Sequence, residues 1–304
     1  MSKNQKWTTN NIPDQSGKIV IITGANSGLG YESTLALSDK GAHVVMACRD
    51  MRKGQVAMAP ILDANPSASL EVMPLDLSDL DSVRTFAEAF QEKGGRLDIL
   101  MNNAGVMAIP QREGTADGFE MQLGTNHLGH FALTGLLLDQ LLATPNSRVV
   151  TVSSNVHKMG GVNFDDLHSE QSYSQWGAYF QSKLANLLFA NELQRRLAKA
   201  STDTISVAAH PGYAATHLQR TSVVFAFLNR FVAQDQAMGA LPQLRAATDP
   251  DVQGGDYYGP DAFFEQRGYP VKVQAKSTAQ DEETARQLWS VSEEMTGVQY
   301  QGLG

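Results

Sequence analysis

Residues 19–30 read Ile19-Val20-Ile21-Ile22-Thr23-Gly24-Ala25-Asn26-Ser27-Gly28-Leu29-Gly30. Five consecutive β-branched residues predict a buried strand. From Leu29 onward the apolar residues take helical spacing, so a helix over 29–40 is expected. The three glycines between them allow a tight turn and let the backbone approach a phosphate. The helix that follows offers free N–H donors and the positive end of its dipole. Strand, glycine turn and helix in this order predict a nucleotide site built on Gly24, Asn26, Ser27, Gly28, Leu29 and Gly30. The spacing is G-x-x-x-G-x-G, not the G-x-G-x-x-G of the common dinucleotide fingerprint.

The same alternation continues along the chain. Short apolar runs at 18–23, 43–48, 70–74, 97–102, 148–153 and 204–210 predict strands, with a seventh at 256–258. Segments with helical periodicity lie between them at 29–40, 51–64, 80–93, 119–142 and 178–200. Ser78-Asp79 supplies a helix cap with an acidic first turn. Continuously apolar strands separated by helices imply a parallel sheet covered on both faces. The expected fold is therefore α/β, one doubly wound parallel sheet of about seven strands in a single domain over 1–304. Two stretches break the pattern, 155–177 and 214–238. Each follows a strand at the end where such sheets bind ligands, so both are expected to wall a substrate pocket. The apolar segment 223–232, with Arg230 near its end, is expected to form a lid helix.

The second strand ends in Cys48-Arg49-Asp50, with Arg52 and Lys53 just beyond. An acidic residue there would accept from a ribose hydroxyl, and an arginine would hold a 2′-phosphate. Three cations within five residues favour NADP(H), with NAD(H) as the alternative. If Asp50 caps the next helix, Arg49 is left free for a phosphate. Further on, Tyr179 and Lys183 are four apart, one turn of one helix face. A phenol titrates near ~10, and a neighbouring ammonium is expected to lower that value toward a tuned proton donor and acceptor. Asn102-Asn103-Ala104-Gly105 and Ser153-Ser154 each follow an apolar run.

Composition bounds the class. The 304 residues are 42% hydrophobic and 18% charged, as in an ordinary globular protein. A formal net charge of −8 argues against nucleic acid or an anionic membrane as the main partner. The one cysteine, Cys48, cannot form an internal disulfide, and the first residues are polar, without a signal-peptide core. No run approaches the ~20 apolar residues of a spanning helix. The expectation is a cytoplasmic protein without an integral membrane segment. His127 and His130 are three apart with no third ligand at metal-site spacing, so no metal is expected.

Taken together, Thr23–Gly30, Asp76, Asn102-Asn103-Ala104-Gly105, Asn126, Ser154, Tyr179-x-x-x-Lys183 and Pro211-Gly212 resemble a short-chain dehydrogenase/reductase from about residue 17 to 216. Asn126-His127-Leu128-Gly129-His130-Phe131 and Leu288-Trp289-Ser290 resemble its retinol dehydrogenase-like branch. The resemblance implies a Rossmann-type sheet and a catalytic set of Ser154, Tyr179, Lys183 and Asn126. In it Ser154 binds the substrate oxygen, Tyr179 exchanges its proton, Lys183 lowers the phenol and holds the nicotinamide ribose, and Asn126 orders a water. It implies cofactor contacts at Asp76 and Leu77, at Asn103, Ala104 and Gly105, and at Pro211, Gly212 and Thr216. It also implies a homodimer surface on helices 119–142 and 178–200, which the long insertions could block. The expected activity is NADP(H)-dependent interconversion of a lipophilic carbonyl and its alcohol. Pocket walls are expected from Met107, residues 156–164, Trp176 and the 213–231 stretch. The alternatives are a non-catalytic nucleotide-binding regulator and a double-bond reductase of a large pigment-like substrate.

Overall fold

The computed structural model describes residues 6–213 and 235–303. The expected lid segment and Thr216 lie outside them. Eight strands form one sheet in the order β3-β2-β1-β4-β5-β6-β7-β8. They are β1 (Ile19–Thr23), β2 (His43–Cys48), β3 (Ser69–Pro74), β4 (Ile99–Asn102), β5 (Arg148–Val152), β6 (Ile205–Ala209), β7 (Tyr257–Ala262) and β8 (Arg267–Lys272). All neighbours are parallel except β7 and β8, which form an antiparallel pair. The sheet therefore has one strand more than the sequence predicts.

Strand alternation divides the core. In β1, Val20 and Ile22 face one layer while Ile21 faces the other, and all three are fully buried. The first layer packs α1 (Gly28–Ser38), α2 (Met51–Ala64) and the later α8 (Gln236–Thr248) on the sheet. The second packs α3 (Leu80–Glu92), the helical stretch after β4 and α7 (Gln175–Lys199). Burial on both faces is why these strands read as continuous apolar runs.

The predicted helix over 119–142 is not one helix. It consists of α4 (Met121–Leu123), a π-helical turn at Gly124–Leu128, α5 (Gly129–Leu136) and α6 (Leu138–Ala143). The Gly129 N–H donates to the Gly124 carbonyl, five residues back. A last helix, α9 (Glu282–Thr296), lies over α5 and α7. Its Trp289 is fully buried, with ring centroids 5.1 Å from Phe131, 5.9 Å from Phe189 and 4.4 Å from Tyr300. The Tyr300 hydroxyl donates to the Phe131 carbonyl at 2.7 Å. The chain itself thus packs a further helix on α5 and α7.

The strand order reverses between β1 and β4. Parallel strands bring Thr23, Arg49, Leu75, Asn103 and Ser154 to one edge of the sheet, and a crevice opens where the order reverses.

Candidate active site

The crevice is a cleft of about 490 Å³. Its floor is the turn from Thr23 to Leu29. Arg49, Asp50 and Lys53 stand at one end, with Leu75, Asp76 and Leu77 along a wall. Asn103, Ala104, Gly105, Val106 and Thr125 close the other end. The turn is as tight as its glycines suggest. Gly24 and Gly28 have φ of 66° and 57°, in the left-handed region. A Cβ on Gly30 would stand 2.4 Å from the Gly24 carbonyl oxygen, so only a glycine fits. The N-terminus of α1 opens onto this floor. Turn, cleft and free helix end together fit a dinucleotide.

At the adenosine end Asp50 caps α2, its carboxylate accepting the Lys53 N–H at 3.0 Å. That bond, with the Lys53 ammonium at 3.8 Å, holds the carboxyl below its usual range. Arg49 is exposed and faces the cleft. Asp76 binds the Ser78 N–H and hydroxyl. Asn103 is held by the protein: its amide donates to the Thr23 carbonyl at 2.7 Å, and its side-chain oxygen accepts from Gln243 at 3.0 Å.

The expected catalytic set converges beyond Gly105. The two serines after β5 divide their work. The Ser153 hydroxyl donates to the Lys183 carbonyl at 2.7 Å, whereas the Ser154 hydroxyl accepts the Val156 N–H at 3.4 Å and lies near enough to the Tyr179 phenol to lower it. Ser174 caps α7 through the Gly177 N–H, starting the helix three residues earlier than predicted. Tyr179 and Lys183 follow on that helix, both buried. The Lys183 ammonium donates to the Val152 carbonyl at 3.2 Å and stands 5.8 Å from the Tyr179 ring centroid. A Cβ on Gly105 would stand 3.0 Å from Asn126 Oδ1 and 3.4 Å from Lys183 Nζ, so the close approach of these groups needs the glycine. The Asn126 amide grips the Val106 backbone on both sides, accepting its N–H at 2.8 Å and donating to its carbonyl at 2.9 Å. It also donates to Ser182 Oγ at 2.9 Å.

Electrostatics here follow burial. Desolvation pushes the Tyr179 phenol up to about 12, with the Ser154 hydroxyl pulling the other way. The sequence predicts a phenol lowered by Lys183; burial raises it instead. Desolvation also brings the Lys183 ammonium down to about 8. Between pH 8 and 10.5 the native state therefore binds fewer protons at this site than the unfolded chain. Its charging penalty is present in full below pH 8 and vanishes above pH 10.5. Lys183→Met removes the penalty, so wild type should gain roughly 3 kcal/mol on the variant as pH rises through that window. Denaturant melts of both proteins at pH 7 and pH 10 check this.

Thr125 and Leu75 also line the cleft, although neither carries a motif. Gln122 is another residue without a sequence signal: its Oε1 accepts the Ala108 N–H at 2.7 Å and holds the loop past Gly105. Met107 and Trp176, expected pocket walls, are half-buried, and the Trp176 ring meets Tyr179 edge-on at 6.5 Å. Pro211 and Gly212 follow β6, and the next N–H, of Tyr213, donates to the Gln266 carbonyl at 2.8 Å.

A dinucleotide cleft beside a half-buried serine and a buried tyrosine and lysine defines a class of oxidoreductase. A family model of short chain dehydrogenases matches residues 18–224, and the chain belongs to the short-chain dehydrogenase/reductase family. It is 41% identical over 290 residues to retinol dehydrogenase 12 of Homo sapiens, covering 94% of this chain and 88% of that protein. It is also 41% identical over 304 residues to retinol dehydrogenase 14 of Homo sapiens, covering 93% and 87%. Among solved structures it is similar to an uncharacterized protein from Mycobacterium paratuberculosis. The two are 43% identical with a TM-score of 0.83, over 97% of this chain and 99% of that one. Within the family the chain lies in the retinol dehydrogenase-like branch. It is an enzyme that interconverts alcohols and carbonyls with a nicotinamide cofactor. Among the described residues no helix is long and apolar enough to cross a membrane.

Proposed function

We propose that the enzyme uses NADP(H) to interconvert a lipophilic aldehyde or ketone and its alcohol, with Ser154, Tyr179, Lys183 and Asn126 as its proton relay. The observation that carries this reading is the buried Tyr179 phenol, beside Ser154 and one helical turn from Lys183. The cofactor, held by the turn from Gly24 to Gly30, supplies or accepts the hydride. The chain's own residues handle the proton. At neutral pH the raised Tyr179 phenol keeps its proton and can give it to a carbonyl oxygen. The Ser154 hydroxyl donates a second hydrogen bond to that oxygen and steadies its developing charge. Lys183, brought down to about 8, can return a proton at ordinary pH. Asn126 fixes the loop beside it through Val106. A cytoplasmic location belongs to this reading and rests on the single cysteine and the net charge.

NADP(H) is preferred here because Asp50 is spent as a helix cap, while Arg49 faces the cleft. Arg49→Asp puts a carboxylate where the 2′-phosphate would sit. NADPH binding should weaken by ~2 kcal/mol or more, and NADH binding much less. Fluorescence titration with both cofactors is the check; equal losses would sink the phosphate role.

A lipophilic substrate is proposed from the apolar residues Met107, Val156 and Trp176, of which Trp176 meets the Tyr179 ring edge-on. The retinol dehydrogenases similar to this chain are named for a lipophilic alcohol. Each buried methylene adds about 0.8 kcal/mol. With NADPH at fixed pH, kcat/KM should rise with chain length across a series of aldehydes and ketones. An optimum on small, charged or highly hydroxylated carbonyls would defeat the lipophilic reading.

A further inference from the structure

His130 is fully enclosed in the second layer, one helical turn after Asn126, and no step proposed above uses it. Its Nδ1 lies 2.9 Å from the Asn126 carbonyl oxygen, and its Nε2 lies 2.8 Å from Thr23 Oγ1. A carbonyl can only accept, so Nδ1 carries the proton. Burial lowers the imidazole to about 4, so the ring is neutral at working pH and Nε2 is an acceptor. The Thr23 hydroxyl must then donate to Nε2. Its other potential acceptor, the Met101 carbonyl, is farther off at 3.3 Å.

That orientation leaves the lone pairs of Thr23 Oγ1 for two backbone donors, the N–H groups of Asn103 and Ala104, each at 2.9 Å. Thr23 closes the β1 end of the cleft, and Asn103 and Ala104 form the wall facing it. A directed chain of hydrogen bonds therefore runs from the cleft wall through Thr23 and His130 to Asn126. Every member is buried or part-buried, and each hydrogen atom in it has one place. Thr134 fixes the same helix turn, its hydroxyl donating to the His130 carbonyl at 2.7 Å and accepting from Asn102 Nδ2 at 3.0 Å.

We infer that His130 is a positioning residue that ties the cofactor-binding wall to the Asn126 turn, so that the cleft and the proton relay hold one register. The inference rests on the relay reading given above. Its two ends can be cut separately, because Asn and Gln each imitate one nitrogen of the ring. His130→Asn keeps an N–H near the Nδ1 position and loses the acceptor for Thr23. His130→Gln keeps an amide near the Nε2 position and loses the donor to Asn126.

The experiment measures the Kd for NADPH by fluorescence titration and kcat with saturating NADPH and a long-chain aldehyde, in the full-length protein. In His130→Asn the larger loss, about tenfold, should fall on Kd. In His130→Gln it should fall on kcat. Thr23→Val should weaken NADPH as His130→Asn does, and Thr23→Ser, which keeps the hydroxyl, should bind at least about fivefold tighter than Thr23→Val. Losses of Kd and kcat in equal proportion in both His130 variants would overturn the inference. So would equal NADPH binding by Thr23→Ser and Thr23→Val, a comparison that holds if a His130 variant does not fold. Absence of wild-type turnover on carbonyls would count against the proposed function instead, since the Kd measurements read the Thr23 link without turnover.

Discussion

Tyr179→Phe is expected to lower kcat by ~10² or more while the Kd for NADPH stays within about twofold of wild type. The substitution keeps the ring and its edge-on contact with Trp176, and it removes only the hydroxyl. Ser154 keeps the Val156 N–H at 3.4 Å. No other group in the described site combines a proton held at neutral pH with a place beside the serine that would share the substrate oxygen. Single-turnover reduction of a carbonyl by bound NADPH separates this step from product release. Near-native turnover in the variant would rule out Tyr179 as the proton donor.

Gly30→Ala should be damaging by a different route. Its new methyl would be driven to 2.4 Å from the Gly24 carbonyl oxygen and 2.7 Å from Asn103 Nδ2. The first is backbone, and the second is fixed by its bond to the Thr23 carbonyl. Neither can yield without opening the turn. A stability loss of about 2 kcal/mol is expected, in the range of overpacked cores. NADPH should bind at least about tenfold more weakly, because the N–H groups at the start of α1 leave their positions. Thermal melts with and without NADPH read both effects, and the cofactor-induced rise in Tm should shrink. A variant with wild-type melting and wild-type Kd would mean that the turn relaxes freely.

Much of this is legible in the amino-acid sequence. Five of the six strands that carry the site are apolar or β-branched runs buried on both faces, β3 being the more exposed one, and the ends of all six fall within about two residues of the predictions. Tyr179 and Lys183 were legible because helical spacing alone puts them together. The strand β8 was not. Arg267-Gly268-Tyr269-Pro270 carries a glycine and a proline, which a strand accepts only at a sheet edge, and the edge is a property of the whole fold. The π-turn over Gly124–Leu128 was hidden for a similar reason. An apolar, helix-favouring stretch looks continuous, and the extra residue in its turn leaves no mark in the periodicity. Thr125 and Gln122 reach the site through that irregular region. The raised Tyr179 phenol was misjudged because spacing reports which charge is near but not how much water has been removed.

The seating of Trp289 and Tyr300 on Phe131 and Phe189 has a thermodynamic consequence. A neighbouring subunit covering that face would come and go with dilution. Here the cover is tethered, so its docking is a first-order event whose effective concentration is set by the connecting chain. The helices that carry Asn126, Tyr179 and Lys183 are thus buttressed equally at any protein concentration. A cut between β8 and α9 would make that support depend on mass action.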